Sequence, residues 1–99
     1  MALMEISVLP VGLGTPSVGD YIASLVKHLR REKIPHRLTD MGTIIEGPPA
    51  KLLELARVLH ELPFEKGVER VVTHITLDDR RDKRVVLDEK TTSIEARLT

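Results

Sequence analysis

Apolar and polar residues alternate along residues 3–10, where Met4, Ile6 and Val8 occupy every second position. A period of two is typical of a β-strand that buries one face. Residues 69–78 repeat this pattern, so we predict a second long strand there. One of its faces carries Val71, Thr73, Ile75 and Leu77, and the other carries Val72, His74, Thr76 and Asp78.

Two shorter extended segments lie in the middle of the chain. The first is His36–Met41, and the second, Thr43–Gly47, is rich in β-branched residues, which favour strands. A tight connection through Gly42 joins the two segments. We therefore predict a hairpin, with its turn at Asp40 or at Gly42.

The first helix is predicted over about residues 17–33, where apolar residues recur at helical spacing. Ser17 is its expected N-cap, with Asp20 in the capping-box position. The loop of residues 11–17 before it lacks the third glycine of a dinucleotide-binding fingerprint. We interpret this loop as a strand-to-helix turn, and amides at the helix start are able to contact an anion.

The second helix is predicted to start at Pro48 and Pro49, because the first helical turn tolerates missing N–H groups. Pro63 and Gly67 are expected to close it. A short C-terminal helix follows the charged residues 78–84, which we interpret as a solvated, self-paired loop. Its apolar stripe consists of Leu87, Thr91, Ile94 and Leu98.

The predicted order is strand, helix, strand, strand, helix, strand and a further helix. This is the order of an α+β, ferredoxin-like βαββαβ plait: a four-stranded antiparallel sheet with two helices on one face plus a short C-terminal helix. Residues 1–99 form a single domain on this interpretation. The sheet face opposite the helices (the open face) is half apolar, which favours a homo-oligomer. A merely solvated face is the alternative.

Composition excludes several classes of function. The chain has 15 basic and 15 acidic residues, no cysteine and two aromatic residues, Tyr21 and Phe64. Nucleic-acid binding is not expected, since it needs positive charge or aromatic platforms. No apolar run is long enough to span a membrane, and no signal peptide is evident, so we expect a cytoplasmic protein. The lack of Asn and Gln is typical of a thermophilic source.

Residues 41–47 form the most suggestive stretch for a ligand site. A carboxylate near the centre of a sheet, such as that of Glu46, needs a donor partner, which a ligand amine would supply. Pairing of Glu46 with a nearby Lys or Arg is the simpler alternative. None of the four histidines forms a metal-binding pair, so no metal site is predicted. His74 lies on the open face, where a ligand or a subunit would meet it.

Short motifs recur in order along nearly the whole chain: Leu9-Pro10-Val11-Gly12, Ser17 to Tyr21, Leu38, Met41-Gly42-Thr43, Ile45-Glu46-Gly47, His60, Gly67 to Val71, Ile75, Leu77-Asp78 and Arg80. Together they resemble the small thiamine-binding (YkoF-like) domain family. The resemblance implies a ferredoxin-like plait that forms dimers or tetramers through sheet faces and edges. It also implies that the protein binds thiamine or its hydroxymethylpyrimidine moiety without catalysis and without a cofactor.

The implied ligand suits several side chains in this region. Glu46 would accept a hydrogen bond from the pyrimidine amine, Thr43 would donate to a ring nitrogen, and Met41, next to Gly42, would form a soft apolar wall. Asp78 or Glu46 would balance a thiazolium cation. The other end of the ligand would contact Ser17 and its loop.

Two other functions are alternatives to this one. A sensing module for amino acids uses the same plait and would bind its ligand at residues 11–17 and at a subunit interface. An acylphosphatase needs an arginine in the first strand–helix connection, and residues 11–17 contain none. We therefore predict a binding protein that is not an enzyme.

Overall fold

The computed structural model of the protein describes residues 1–12 and 18–98. The elements are β1 (Ala2–Pro10), α1 (Gly19–Arg31), β2 (His36–Leu38), β3 (Thr43–Gly47), α2 (Pro49–Glu65), β4 (Val71–Asp78) and α3 (Glu89–Arg97). The predicted order of strands and helices is confirmed, including the additional helix at the C-terminal end.

The strands form one antiparallel sheet in the order β2-β3-β1-β4. Even-numbered residues of β1 point toward α1 and α2 and are buried, as the alternation predicts. The predicted α+β plait is therefore confirmed. Fully buried side chains from the sheet and both helices form the centre of the core: Met4, Ile6, Leu29, Ile45, Leu52 and Leu59.

Helix α1 is shorter than predicted at both ends. Val18 occupies the N-cap position and makes no side-chain capping bond. The predicted cap at Ser17 is therefore one residue too early, and Ser17 itself lies outside the described residues. At the other end, the N–H of Ile34 donates to the carbonyl of Leu29 at 3.0 Å, which reverses the chain through a positive φ of 54° at Lys33.

Helix α2 passes through Pro63 rather than stopping there. Pro63 is buried within the last turns of the helix, and its carbonyl accepts the N–H of Val68 at 3.3 Å. The chain turns at Gly67, whose φ is 88°. The prediction that Gly67 closes the helix is confirmed and that for Pro63 is wrong, because burial of the proline ring offsets the loss of one helical bond near the end.

The β2–β3 hairpin turns through residues 39–42, with Asp40 and Met41 at its tip. The hydroxyl of Thr39 donates to the carbonyl of Gly42 at 2.7 Å and accepts the N–H of Gly42 at 3.2 Å. A side chain at Gly42 would place its Cβ 3.0 Å from the carbonyl oxygen of Ile6. Glycine is therefore required where the hairpin approaches β1.

The C-terminal segment crosses the sheet face that we expected to be uncovered. Lys90 pairs with Asp78 on the edge strand β4 at 3.0 Å, and Asp88 pairs with Arg37 on the opposite edge strand β2. Val85, in the crossing segment, is buried. Part of the open face is therefore covered by the chain itself, which the polar sequence of residues 78–84 does not indicate.

We expect Leu59→Ala to lower the free energy of unfolding by about 2–5 kcal/mol, because the side chain is fully buried and its removal leaves a cavity. Leu53→Ala, on the same helix but 51% exposed, is the matched control and should change it by less than about 0.5 kcal/mol. Urea denaturation measures the free energy of unfolding of both variants. Equal effects would contradict the packing of α2 described above.

Gly42→Ala should destabilise the protein by about 1–3 kcal/mol, since the new methyl group meets the Ile6 carbonyl and the Glu5 side chain. Asp40→Ala, in the same turn but exposed, should leave stability within about 0.5 kcal/mol of the wild type. Thermal and urea unfolding compare the two variants. An unchanged Gly42→Ala protein would show that the hairpin does not approach β1 so closely.

Candidate functional site

The central strand β1 extends several residues beyond the end of one of its two neighbours, β3. β1 has nine residues, whereas β3 has five and pairs with β1 only as far as Ile6, which lies opposite Thr43. On the other side, β4 pairs with β1 as far as Pro10. The last residues of β1 therefore have a strand partner on one side only.

A pocket of about 210 Å³ lies beside this unpaired stretch of β1. The hairpin tip forms one side of the pocket and the start of α1 forms another. Its apolar walls are provided by Ile6, Val8, Leu9, Val18, Ile22, Leu25, Leu38 and Met41. The pocket thus opens where the short strand β3 leaves the sheet.

Polar groups are few in this pocket and come from two elements. Ser7 lies on β1, while Thr39, Asp40 and Thr43 belong to the hairpin. Thr43 is only 3% exposed, on the face of β3 that packs toward the helices. Asp40 is the one ionisable side chain among the described lining residues. The arrangement suits a small, largely apolar ligand that carries a few hydrogen-bonding groups.

Three of the residues predicted for the ligand site line this pocket. Met41, Gly42 and Thr43 are adjacent in the hairpin, and Met41 is 82% exposed at its tip. The role predicted for Ser17 falls outside the described residues, although Val18 beside it lines the pocket. The hairpin side of the predicted site is therefore brought together.

Glu46 lies on the opposite sheet face from Thr43. Thr43 and Ile45 are buried with the helices, whereas Glu46 shares a row with Leu3 on the other face. Glu46 also borders a separate recess of about 260 Å³, beside Lys33 and Lys51. Within one copy of the chain, Thr43 and Glu46 are therefore not placed to contact the same ring.

His74 and Asp78 lie on the open face and do not line the pocket. His74 is exposed and pairs with Ser7, while Asp78 pairs with Leu3 in the register of the sheet. The carboxylate of Asp78 already receives the ammonium group of Lys90 at 3.0 Å. This contact gives Asp78 a structural partner where a cationic ligand was predicted.

The charged loop after Asp78 pairs with itself, as predicted. Arg80 contacts Asp82 at 2.6 Å and Arg81 contacts Asp79 at 2.9 Å. The hydrogen bond from Arg81 lowers the pKa of Asp79, and the one from Arg80 lowers the pKa of Asp82. These pairs are exposed and contribute little to stability.

Asp40 and the backbone of Val8 are site features that sequence reasoning missed. Asp40 stands beside the quoted Met41-Gly42-Thr43 motif, so its position was a usable signal. The sequence pattern predicts Val8 only as a core residue, because its side chain faces the helices. An unpaired strand edge depends on the relative lengths of β1 and β3, which the pattern of side chains does not show.

Residues 1–12 and 18–98 contain no group of three or more His, Cys, Asp or Glu side chains that could hold a metal ion. In the same ranges, no helix is long and apolar enough to cross a membrane.

The chain is similar to proteins of several organisms over nearly its whole length. It is 41% identical to the UPF0045 protein YqgV of Bacillus subtilis, over 99% of this chain and 98% of the relative. It is 44% identical to a UPF0045 protein of Staphylococcus xylosus, over 99% and 95% of the two chains. These relatives establish the family but carry no described activity in their names.

Solved structures share the fold. A hypothetical protein of Methanocaldococcus jannaschii superposes with a TM-score of 0.82 at 26% identity, over 95% of each chain. A Thermotoga maritima protein, provisionally named for thiamine biosynthesis or salvage, gives a TM-score of 0.78 at 15% identity, over 94% of this chain and 97% of that one. The sequence model described as "Thiamine-binding protein" matches residues 4–95. The chain therefore belongs to the thiamine-binding protein (UPF0045) family.

Proposed function

We propose that this protein binds thiamine or its hydroxymethylpyrimidine moiety in the pocket beside β1. The observation that carries the proposal is the meeting of Met41, Gly42 and Thr43 with the unpaired end of β1 around one cavity. Membership of the thiamine-binding family supports the choice of ligand. The name of the Thermotoga relative adds no argument on function, because its identity of 15% supports the fold alone.

The dimensions of the pocket favour one ring of the ligand. Its volume of about 210 Å³ is smaller than the roughly 300–1,000 Å³ of pockets that enclose drug-sized molecules. A substituted pyrimidine would fill such a space, and a thiazolium ring attached to it would extend toward solvent. Asp40, exposed at the hairpin tip, would then lie near the positively charged thiazolium ring.

The pocket chemistry supports binding rather than catalysis. General acid–base catalysis needs a titratable group in reach of the reacting atom, and nucleophilic catalysis needs a nucleophile beside a base. Asp40 is the one ionisable side chain among the described pocket residues, and it is exposed. A protein of this kind would store, deliver or sense the vitamin.

We also propose that the chain assembles into a homo-oligomer through its open sheet face. His74 and Thr76 are exposed there, and the C-terminal segment adds exposed apolar surface at Ile94 of α3 and at Leu98 just after it. Apolar surface next to a regular sheet is well suited to a symmetric contact with a second copy. The ion pairs of the C-terminal segment would then lie at the rim of the interface.

Thr43→Val should weaken the binding of hydroxymethylpyrimidine about 3- to 10-fold, since it removes one hydrogen bond and keeps the shape of the side chain. Glu46→Gln is the control and should leave affinity unchanged, because Glu46 lies on the opposite face. Isothermal titration calorimetry measures both, with thiamine, the pyrimidine and common amino acids as ligands. Loss of binding only in Glu46→Gln would move the site to the other end of β3, and binding of amino acids alone would favour a sensing module.

His74→Glu should dissociate the oligomer, because it places a charge at the centre of the proposed contact. Lys27→Glu, exposed on α1 and remote from the sheet face, should leave the assembly intact. Light scattering coupled to size-exclusion chromatography gives the mass of each variant. A monomeric wild-type protein at micromolar concentration would exclude the proposed interface.

A further inference from the structure

We propose that the peptide groups of Val8 recognise the ligand, with its N–H donating to a ring nitrogen and its carbonyl accepting from the adjacent exocyclic amine. The inference rests on the proposed function, because it concerns the same pocket. It gives the contact with the amine, which was predicted for Glu46, to a backbone group, because Glu46 lies on the sheet face opposite Thr43. The chemical class recognised is an aromatic ring in which an amine stands next to a ring nitrogen.

The register of the sheet fixes the direction of the Val8 groups. The N–H of Val11 donates to Arg70, just beyond β4, at 2.8 Å. The direction of the peptide groups alternates along a strand. The N–H and carbonyl groups of odd-numbered residues of β1 therefore point toward β4, and those of even-numbered residues point toward β3. The N–H and carbonyl of Val8 therefore point to the side on which β3 has already ended.

The hairpin does not occupy this edge. The next partner in the β1–β3 register would be Met41, but the last pair is Ile6 with Thr43 and Met41 lies exposed at the hairpin tip. No other described backbone group bonds to Val8 on this side. Pro10, the next residue on the same edge, has no N–H at all, as is typical where a strand lacks a partner.

An unpaired backbone edge inside an apolar pocket calls for a ligand with matching groups. A buried N–H or carbonyl without a partner costs about 1–3 kcal/mol, so a ligand that satisfies both gains specificity as well as affinity. In an extended residue the two groups point the same way and are complementary to an amine beside a ring nitrogen. The pyrimidine of thiamine has this edge, and so do cytosine and adenine.

Ligand analogues test the contact with the carbonyl. Calorimetry would compare hydroxymethylpyrimidine with its deaminated analogue, in which hydrogen replaces the amine. We expect the deaminated compound to bind at least tenfold more weakly, in the wild type and equally in Asp40→Asn. Equal binding of the two compounds would overturn the inference while leaving the proposed function in place. Loss of the difference in Asp40→Asn would assign the amine to Asp40 and would also overturn it.

Amide hydrogen exchange, followed by NMR, tests the N–H directly. In the free protein the Val8 amide should exchange faster than those of Ser7 and Leu9, which pair with β4. Saturating hydroxymethylpyrimidine should slow the exchange of Val8 at least tenfold more than that of its two neighbours. A bound ligand with no selective protection of Val8 would overturn the inference. Protection by cytosine or adenine alone would support it and would instead exclude thiamine as the ligand.

Discussion

The pairing of the central strand β1 with two neighbours of unequal length is the constraint on which the rest of the structure depends. Odd-numbered residues bond to β4 along the whole strand, and even-numbered residues bond to β3 only as far as Ile6. The same even-numbered side chains form the centre of the core. Stability and the pocket are therefore two consequences of one register, since the strand that buries Met4 and Ile6 continues beyond the end of β3.

Most of the fold could be predicted because each strand and helix buries one face. The alternation at Met4, Ile6 and Val8 and the leucine stripe of α2 follow directly from that requirement. Element ends were less predictable. Val18, which has no capping side chain, occupies the N-cap position of α1. Pro63 lies within α2 because its ring is buried, so packing determines this helix end rather than the local preference of proline.

The candidate site was predicted in part. The hairpin residues Met41, Gly42 and Thr43 do line one pocket. Grouping Glu46 with Thr43 overlooked the period of the strand, since residues three positions apart in a strand face opposite ways. The ion pair between Asp78 and Lys90 could not be predicted from local sequence patterns, because it depends on the path of the C-terminal segment across the sheet.

The length of the unpaired edge also bears on what can enter the pocket. Ile6 is already bonded to β3, and Pro10 has no N–H to donate, so only Val8 offers both a donor and an acceptor on this side. A peptide that adds to a sheet as a new strand needs several such residues in succession. The short edge is therefore long enough to bind a single planar group, but too short to pair with an extended strand of another protein.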